Sequence, residues 1–600
     1  MSLKNKISKA RSKLSIKTYK HPQIYIILMM LLLNIIILVV SAIIALSIDD
    51  SFTNFFDAFA NGSLKWMLTP NAILLITNPN TLILAVIVLI IGMVLFTGTI
   101  IALTTNAIKD YFQKKQSGSG KLILDHQIVI LNWNNKVPEL VADLIHLDKE
   151  DVSIVILADI EKSEAEKLIT NAIKNIMKEK SVINLNILVK KGNPLLKTDL
   201  YDISIDKAQT ILIMNIDHEN EITLNDKTDL NLIKTILNLG EIDFIYQPPI
   251  VAEIKNMASK NKVSQLTHIV NSLKEHIIIP ICFDRRLGHV IAQTIINPLI
   301  KEVYLSIFSF EGAEVYYIDN LDFDICLKEY SHVIPIARYK TGLFVLSEKD
   351  QHLQLKDSSQ SDFIPLKTHK IDMKSDIKVI IIGNNNKLQF IKESFDDYTE
   401  IYNSHFEAFY IDDNDLQNHI GDIRNEENKT ILLLSKEDTD TSNLDGNIIN
   451  NLIYLQTEKI QNANIIVEVL DPSNDHIIKD FNINNTIISN KIISLLVSKI
   501  IMYQETAPFY ENLLTIKSDT TGKDDQNITI VKANQLINES FPITFNSYKQ
   551  LLLSFYEAFN HELMLIGYFR NKKLHMIYGN LHTKEKIELY HDDLLIYIKI

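Results

Sequence analysis

Residues 126–141 read His-Gln-Ile-Val-Ile-Leu-Asn-Trp-Asn-Asn-Lys-Val-Pro-Glu-Leu-Val, and the change of apolar period within them decides the fold. His126–Asn132 is a short, nearly unbroken apolar run of the kind that a parallel strand covered on both faces requires. Val137, Leu140, Val141, Leu144 and Ile145 then recur at helical spacing. The alternation continues. Strands are expected at Val152–Leu157, Asn186–Val189, Thr210–Met214 and Ile250–Ile254, with helical segments between them. A second pass opens at Ile377–Gly383 and runs through Ala408–Ile411, Thr430–Leu434 and Ile465–Leu470. Strand and helix in strict turn describe doubly wound α/β domains, so two similar Rossmann-like domains are expected in tandem. A less regular stretch near residues 280–370 separates them, and about 75 residues from 526 onward are read as a small cap.

Upstream the composition changes. The chain has 600 residues, 46% apolar and 22% charged, with a mean hydropathy of +0.06 that is concentrated at the N-terminal end. Ile24–Ile48 holds 25 consecutive uncharged residues, about 37 Å as a helix and enough to cross an apolar core of about 30 Å. Trp66–Ile108 adds 43 more without a charge. Pro70 and the Asn78-Pro79-Asn80 turn divide that run into a short apolar piece at 64–76 and a full span at 82–103. The short piece is read as a re-entrant half-helix, because irregular backbone at membrane depth survives only against protein or a water-filled cavity. The expected fold class is therefore a pore-like unit of two transmembrane helices plus a half-helix, followed by the α/β domains. Expected boundaries are a basic tail 1–23, the two-span unit 24–108 with its re-entrant segment 64–80, and a linker 109–125. The first α/β domain with the intermediate region takes 126–370, the second 371–525, and the C-terminal domain 526–600.

Charge sets the orientation and excludes partners. The first 20 residues carry seven Lys or Arg and no acid, and Lys109, Lys114, Lys115 and Lys121 follow the second span. Both termini are thus expected in the cytoplasm of a multi-pass protein of the cell membrane. The body from residue 122 carries a net charge of −21, which offers no basic surface to displace counterions, so nucleic acid is not an expected partner. Cys282 and Cys326 are the only cysteines, too few for a disulfide framework.

A dinucleotide would sit at the first strand-to-helix turn on a glycine-rich cradle. Here that turn is Asn132-Trp133-Asn134-Asn135-Lys136, with no glycine, and its counterpart has Gly383 alone. NAD is therefore not expected. Asn132, Trp133, Asn134 and Asp159 remain the candidate ligand-binding residues. Asp159 stands where a ribose hydroxyl would be met. Asp217, Glu219 and Glu221 are the candidate metal ligands, since Ca2+ prefers several carboxylate oxygens, but acidic loops are commonly only solvated. Glu437, Asp438, Asp440 and Asp445 form a similar cluster, read as a solvated surface. No nucleophile–base constellation appears, and an enzyme is not expected.

The ordered set of local sequences resembles the CASTOR/POLLUX (SYM8-type) ion channels in their bacterial form, with tandem RCK, TrkA-N-like, domains. Asp125–Asn134 is similar to that family's D-H-x-x-I-L-G-W-N, with Asn132 in place of glycine. Thr104-Thr105-Asn106-Ala107-Ile108, Leu157-Ala158-Asp159, Gly192-Asn193-Pro194-Leu195, Ala292-Gln293-Thr294 and Ile488-Ser489-Asn490 match further signatures across residues 80–515. The resemblance implies a homotetramer: four pore units around one axis in the lipid bilayer, opened by a cytoplasmic gating ring of RCK-like domains. Thr77, Asn78, Pro79 and Asn80 stand where the filter would meet the permeant cation. Thr97, Ile101 and Thr104 share one helix face and are candidates for the inner lining. Gly92 and Gly98 are candidate hinges. A ligand-gated cation channel is the first reading, for K+ or another monovalent or divalent cation. A membrane-anchored regulatory subunit of a K+ transporter and a membrane-tethered nucleotide sensor are the alternatives. No cofactor is firmly indicated, and Ca2+ or another cation is the candidate regulator.

Overall fold

The computed structural model describes residues 22–92, 120–146, 152–176, 186–216, 222–310, 312–356, 362–370, 374–437, 444–460, 463–483, 485–517 and 527–600, with isolated positions between 98 and 109. The chain divides into two compact units, Met1–Gln116 and Ser117–Ile600.

In the first unit, helix α1 spans Pro22–Ile48. Its stretch Met29–Ile48 is, among the described residues, the one helix long and apolar enough to cross a membrane. Its packing is inverted relative to a water-soluble helix. Ala42 and Ala45 are fully buried, whereas Met29, Leu32 and Ile43 are more than half exposed. Small residues inside and large apolar ones outside are what helix packing in lipid demands. Ser41 meets Ser63 through a 2.8 Å hydroxyl hydrogen bond on the buried side.

The helical stretch after α1 begins earlier than its charge pattern suggests. Asn54 caps it by accepting from the Asp57 amide at 2.9 Å, and it runs through a π-helical segment, Ala58–Leu64, to Leu68. It stops there because Pro70 cannot donate and forces Thr69 out of the helical region, to φ −130°, ψ 89°. The half-helix expected at 64–76 is thus a helical run over 55–68 followed by a 3-10 segment, Pro70–Leu75. Helix α2, Pro79–Gly92, follows. Gly92 lies against Met67, where a Cβ would meet the methionine Cγ at 2.6 Å.

The second unit carries the α/β architecture. Strands β1 (Ile128–Leu131), β2 (Ser153–Ala158), β3 (Asn186–Lys191), β4 (Thr210–Ile213), β5 (Ile250–Glu253) and β6 (Ile278–Ile281) form one parallel sheet in the order β3-β2-β1-β4-β5-β6. That is the Rossmann order, with its switch point between β1 and β4. Helix α3 (Val137–Asp143) follows β1 and helix α4 (Phe283–Ile296) follows β6. The stretch read as irregular holds three antiparallel strands, β7 (Glu314–Ile318), β8 (Ile334–Tyr339) and β9 (Gly342–Ser347), ordered β7-β9-β8.

The second sheet comprises β10 (Asp376–Ile382), β11 (His405–Ile411), β12 (Lys429–Leu433), β13 (Ala463–Val469) and β14 (Asn485–Ile488), in the order β11-β10-β12-β13-β14. It repeats the first sheet without a counterpart of β3. Helix α5 (Leu388–Tyr402) follows β10 and helix α6 (Ser489–Met502) follows β14. The C-terminal part is an antiparallel sheet, β15 (Ile528–Lys532), β20 (Leu594–Lys599), β17 (Leu563–Arg570) and β18 (Lys573–Met576), with a separate antiparallel pair, β16 (Ile543–Phe545) and β19 (Ile587–Leu589), and a helix at Tyr548–Ala558.

The two α/β domains pack through reciprocal helices: α3 lies against α6, and α4 against α5. One apolar cluster runs through both contacts, from Val137 and Leu140 to Ile493 and Val497. The α4–α5 approach is close because Gly288 has no side chain; a Cβ there would sit 2.6 Å from the Phe390 Cβ. Gly288→Val is expected to overpack this contact and cost about 1–3 kcal/mol, read as a lowered midpoint in thermal unfolding.

Candidate functional site

Both doubly wound domains end their first strand in the same polar device. In the first, Asn132 takes a left-handed φ of 70°, a conformation that asparagine tolerates better than most residues. Its side-chain amide donates to the Met214 carbonyl at 2.9 Å. Two residues on, Asn134 donates to Asn215 O at 2.9 Å and to Glu253 Oε2 at 2.8 Å. Lys136 Nζ reaches the other oxygen of Glu253 at 2.9 Å, and the Asn215 amide donates to Oε2 at 3.0 Å. Asp229, buried below, accepts from Asn215 Nδ2 and from the amides of Lys255 and Asn256.

The second domain repeats this residue by residue. Gly383 takes φ 95°, and a Cβ there would stand 2.7 Å from the Leu434 carbonyl, the counterpart of the oxygen that Asn132 uses. Asn385 donates to Ser435 O at 2.9 Å and to Glu468 Oε2 at 2.7 Å, while Lys387 Nζ lies 3.2 Å from Glu468. Asp445 accepts from Ser435 Oγ and from the amides of Leu470 and Asp471.

The two devices meet at the domain boundary. Lys255 lies 3.2 Å from Asp284 and 3.9 Å from Glu253, and Lys387 pairs with Glu437 as well as Glu468. Burial pushes the Glu437 carboxyl up, but the attraction of Lys387, Lys255 and Lys136 prevails and holds it well below the usual carboxylate range. For Lys387, burial acts downward and is outweighed by Glu437, Glu468 and Asp284, so its pKa is raised. Three lysines and four carboxylates thus alternate in a buried network. Glu437 and Asp445, read from sequence as solvated acidic surface, are instead buried and fully engaged, as is Asp229. Removing one partner of such a network leaves an uncompensated charge in the interior. Lys387→Met is expected to destabilise the protein by about 3–5 kcal/mol in denaturant unfolding.

Beside this network opens a cleft of about 360 Å³ between the domains, walled by Trp133, Pro138 and Leu470 and reached by Glu139, Asp471 and Asn490. Glu139 extends from α3 toward α6, where Lys491 Nζ lies 3.3 Å away. The same lysine pairs more closely with Asp143, which also accepts from Ser494. Burial, with the neighbouring Asp143 and Asp471 and against the pull of Lys491, raises the Glu139 carboxyl to about 7. An unfolded glutamate releases its proton at the ordinary value of 4.5. The stabilisation held by the protonated side chain is therefore complete below that pH and is lost as pH rises through about 7. Glu139→Gln is expected to flatten this dependence when unfolding midpoints at pH 5 and pH 8 are compared.

The remaining sequence-predicted residues are dispersed. Asp159 is exposed at the end of β2, 3.8 Å from Lys191. Asn78 Nδ2 donates to Ile48 O at 3.1 Å, its Oδ1 accepts from the Asn80 amide at 3.1 Å, and Thr81 donates to Asp49 at 2.6 Å. The Thr77–Asn80 turn therefore stands beside the end of α1, while Met67, at the far end of the preceding helical run, stands beside Gly92. Gly98, Ile101 and Thr104 are exposed; Thr104 Oγ1 donates to Ile101 O at 3.1 Å, a bond back to its own helix. Thr97, Asp217, Glu219 and Glu221 lie outside the described residues. Among the described residues no three His, Cys, Asp or Glu side chains converge as metal ligands do. Sequence reading passed over Lys136, Glu253, Lys387 and Glu468. The available signal was an Asn-Asn-Lys repeated after each first strand, together with one glutamate in each of two otherwise apolar strands.

No protein-family model matches the chain. The ion channel DMI1 of Medicago truncatula is 24% identical over 279 residues, 45% of this chain and 29% of that protein. The ion channel CASTOR of Lotus japonicus is 23% identical over 274 residues, 44% of this chain and 30% of that protein. The resemblance to the CASTOR/POLLUX ion channels holds. The chain spans less than a third of the length of these relatives. In fold, the human SLO3 gating ring superposes on 79% of this chain and 98% of its own, with a TM-score of 0.51 at 14% identity. The GsuK channel bound to NAD aligns with a TM-score of 0.37 at 12% identity, too low a likeness to carry its nucleotide to this chain.

Proposed function

We propose that the chain is one subunit of a homotetrameric, ligand-gated cation channel of the cell membrane. Its doubly wound domains form a cytoplasmic ring that opens the pore. The observation that carries this reading is the pairing of two features in a chain similar to CASTOR/POLLUX channels. One is an α1 helix packed small-side-in and large-side-out, as lipid requires; the other is a tandem α/β unit with the gating-ring fold. Among the described residues one copy offers too few membrane helices to enclose an aqueous path, so in this reading the path is shared between copies. Basic residues on the tail and after the second apolar stretch set both termini on the cytoplasmic side.

In this reading the ion meets Thr77, Asn78, Pro79 and Asn80 at the outer mouth, where carbonyl and amide oxygens replace part of its water shell. Asn80 leaves its side chain exposed for that role, whereas Asn78 also ties the turn to the end of α1. Thr97, Ile101 and Thr104 line the inner passage, and Gly92 and Gly98 take up the bend when it opens. Asp49 and Asp57 concentrate cations outside, an effect that fades with salt. Purified protein in planar bilayers is expected to pass cation current. Asn80→Ala should change the reversal potential in mixed K+ and Na+ with assembly intact, and Asn78→Ala should reduce the yield of assembled protein as well. Absence of current from folded, reconstituted protein would overturn the reading and leave a regulatory subunit or a nucleotide sensor in its place.

A further inference from the structure

We infer that the cleft between α3 and the β13–α6 end of the second domain binds a small primary amine in its ammonium form. This deepens the ligand-gated reading by naming the class of ligand, and it rests on that reading only for its regulatory meaning. Three independent features of the cleft converge on a cation that carries N–H donors and an apolar stem.

The first feature is an acceptor without a donor. Asn490 is 2% exposed and lines the cleft, and its Oδ1 has no hydrogen-bond partner among the described residues. Its Nδ2 donates to the Asn135 carbonyl at 3.4 Å, which leaves the carbonyl oxygen as the unsatisfied end. Buried acceptors are rarely left so, and one on the wall of a cavity marks where a donor belongs.

The second feature is charge. Glu139 and Asp471 line the cleft with Lys174, and Lys491 behind Glu139 is paired with the buried Asp143, which leaves one negative charge in excess. Lys491 is drawn closer to Asp143 than to Glu139, so Glu139 is the carboxylate with capacity to spare.

The third feature is the wall. Trp133, Pro138 and Leu470 give one side an apolar and aromatic face, and a cation over an indole face is attracted by the ring's quadrupole. A hard divalent ion asks instead for about six to eight oxygens around it, which this half-apolar cleft does not present. A volume of about 360 Å³ suits a short aliphatic amine.

The pseudo-equivalent position in the second domain supports the specificity of the assignment. Where α3 places Glu139, three residues after Lys136, α5 places Phe390, three residues after Lys387, and Phe390 is packed against Gly288. The duplicated cleft beside Asn384 and Lys255 thus has no carboxylate at this position, and the site is built at one of the two clefts only.

The chain has two tryptophans, Trp66 and Trp133, so the full-length Trp66→Phe variant reports on Trp133 alone. Titration of this protein in detergent with putrescine at pH 8 is expected to give a saturable change in Trp133 emission. Glu139→Gln, which keeps the shape of the side chain, and Asn490→Leu should each weaken it about tenfold. At pH 6 binding should weaken about tenfold as Glu139 takes up a proton, and this pH effect should vanish in Glu139→Gln. The inference is overturned if folded protein gives no saturable response to putrescine, or if Glu139→Gln binds as wild type. It is also overturned if tetramethylammonium or Ca2+ at matched ionic strength gives the same response. The readout needs no conduction: current without amine binding removes the site alone, and binding without current removes the channel reading alone.

Discussion

The domain pair rests on the requirement that a buried charge be answered on every side. Glu253 and Glu468 are each fully buried in an interior strand of a sheet, where an isolated carboxylate would be intolerable. Each is answered by an asparagine, a lysine and a backbone amide delivered from the turns after two neighbouring strands. The turn after the first strand is thereby committed to structure. Its Asn134 and Lys136 side chains face the interior, and its left-handed residue, Asn132, re-aims the backbone.

The same requirement joins the domains. Glu437 belongs to the second domain, yet Lys255 and Lys136 of the first help to hold it ionised, and Asp284 of the first domain acts on Lys387 of the second. Exchange of partners across a boundary makes the two sheets one cooperative body, because neither network is complete alone. Buried networks of this type specify geometry more than they add stability, since apolar replacements of equal shape often match them in free energy.

Much of the α/β plan was legible, because strands buried on both faces are written as unbroken apolar runs and their helices as a period near 3.6. What escaped had physical reasons. β6 is four residues long and carries Pro280, permitted there because the strand is an edge. The β8–β9 and β17–β18 hairpins turn at Lys340-Thr341 and Asn571-Lys572, with left-handed φ at Lys340, Asn571 and Lys572, in place of the Asn-Gly pair that announces such turns. In the first unit, Lys65 stands just before the uncharged run that opens at Trp66, yet it and Asp57 both sit on one helical run, Asp57 accepting from the Thr53 amide and the Asn61 side chain. The polar residues of the domain boundary were passed over for another reason. Asparagine, lysine and glutamate are ordinary surface residues, and the repeated Asn-Asn-Lys takes on meaning only when each first strand is set against the other.

The Gly288–Phe390 contact has a consequence. On one side of the domain pair the helices touch through backbone and an aromatic ring, with a cleft lined by Lys255, Asn384 and Phe390 alongside. On the other, α3 and α6 meet across ionisable side chains and an open cavity. The first contact is set mainly by shape, whereas the second depends on which of its side chains carry charge. Duplication has thus kept the polar turn in two copies while the position beside it differs, glutamate in one and phenylalanine in the other, and with it what each contact responds to.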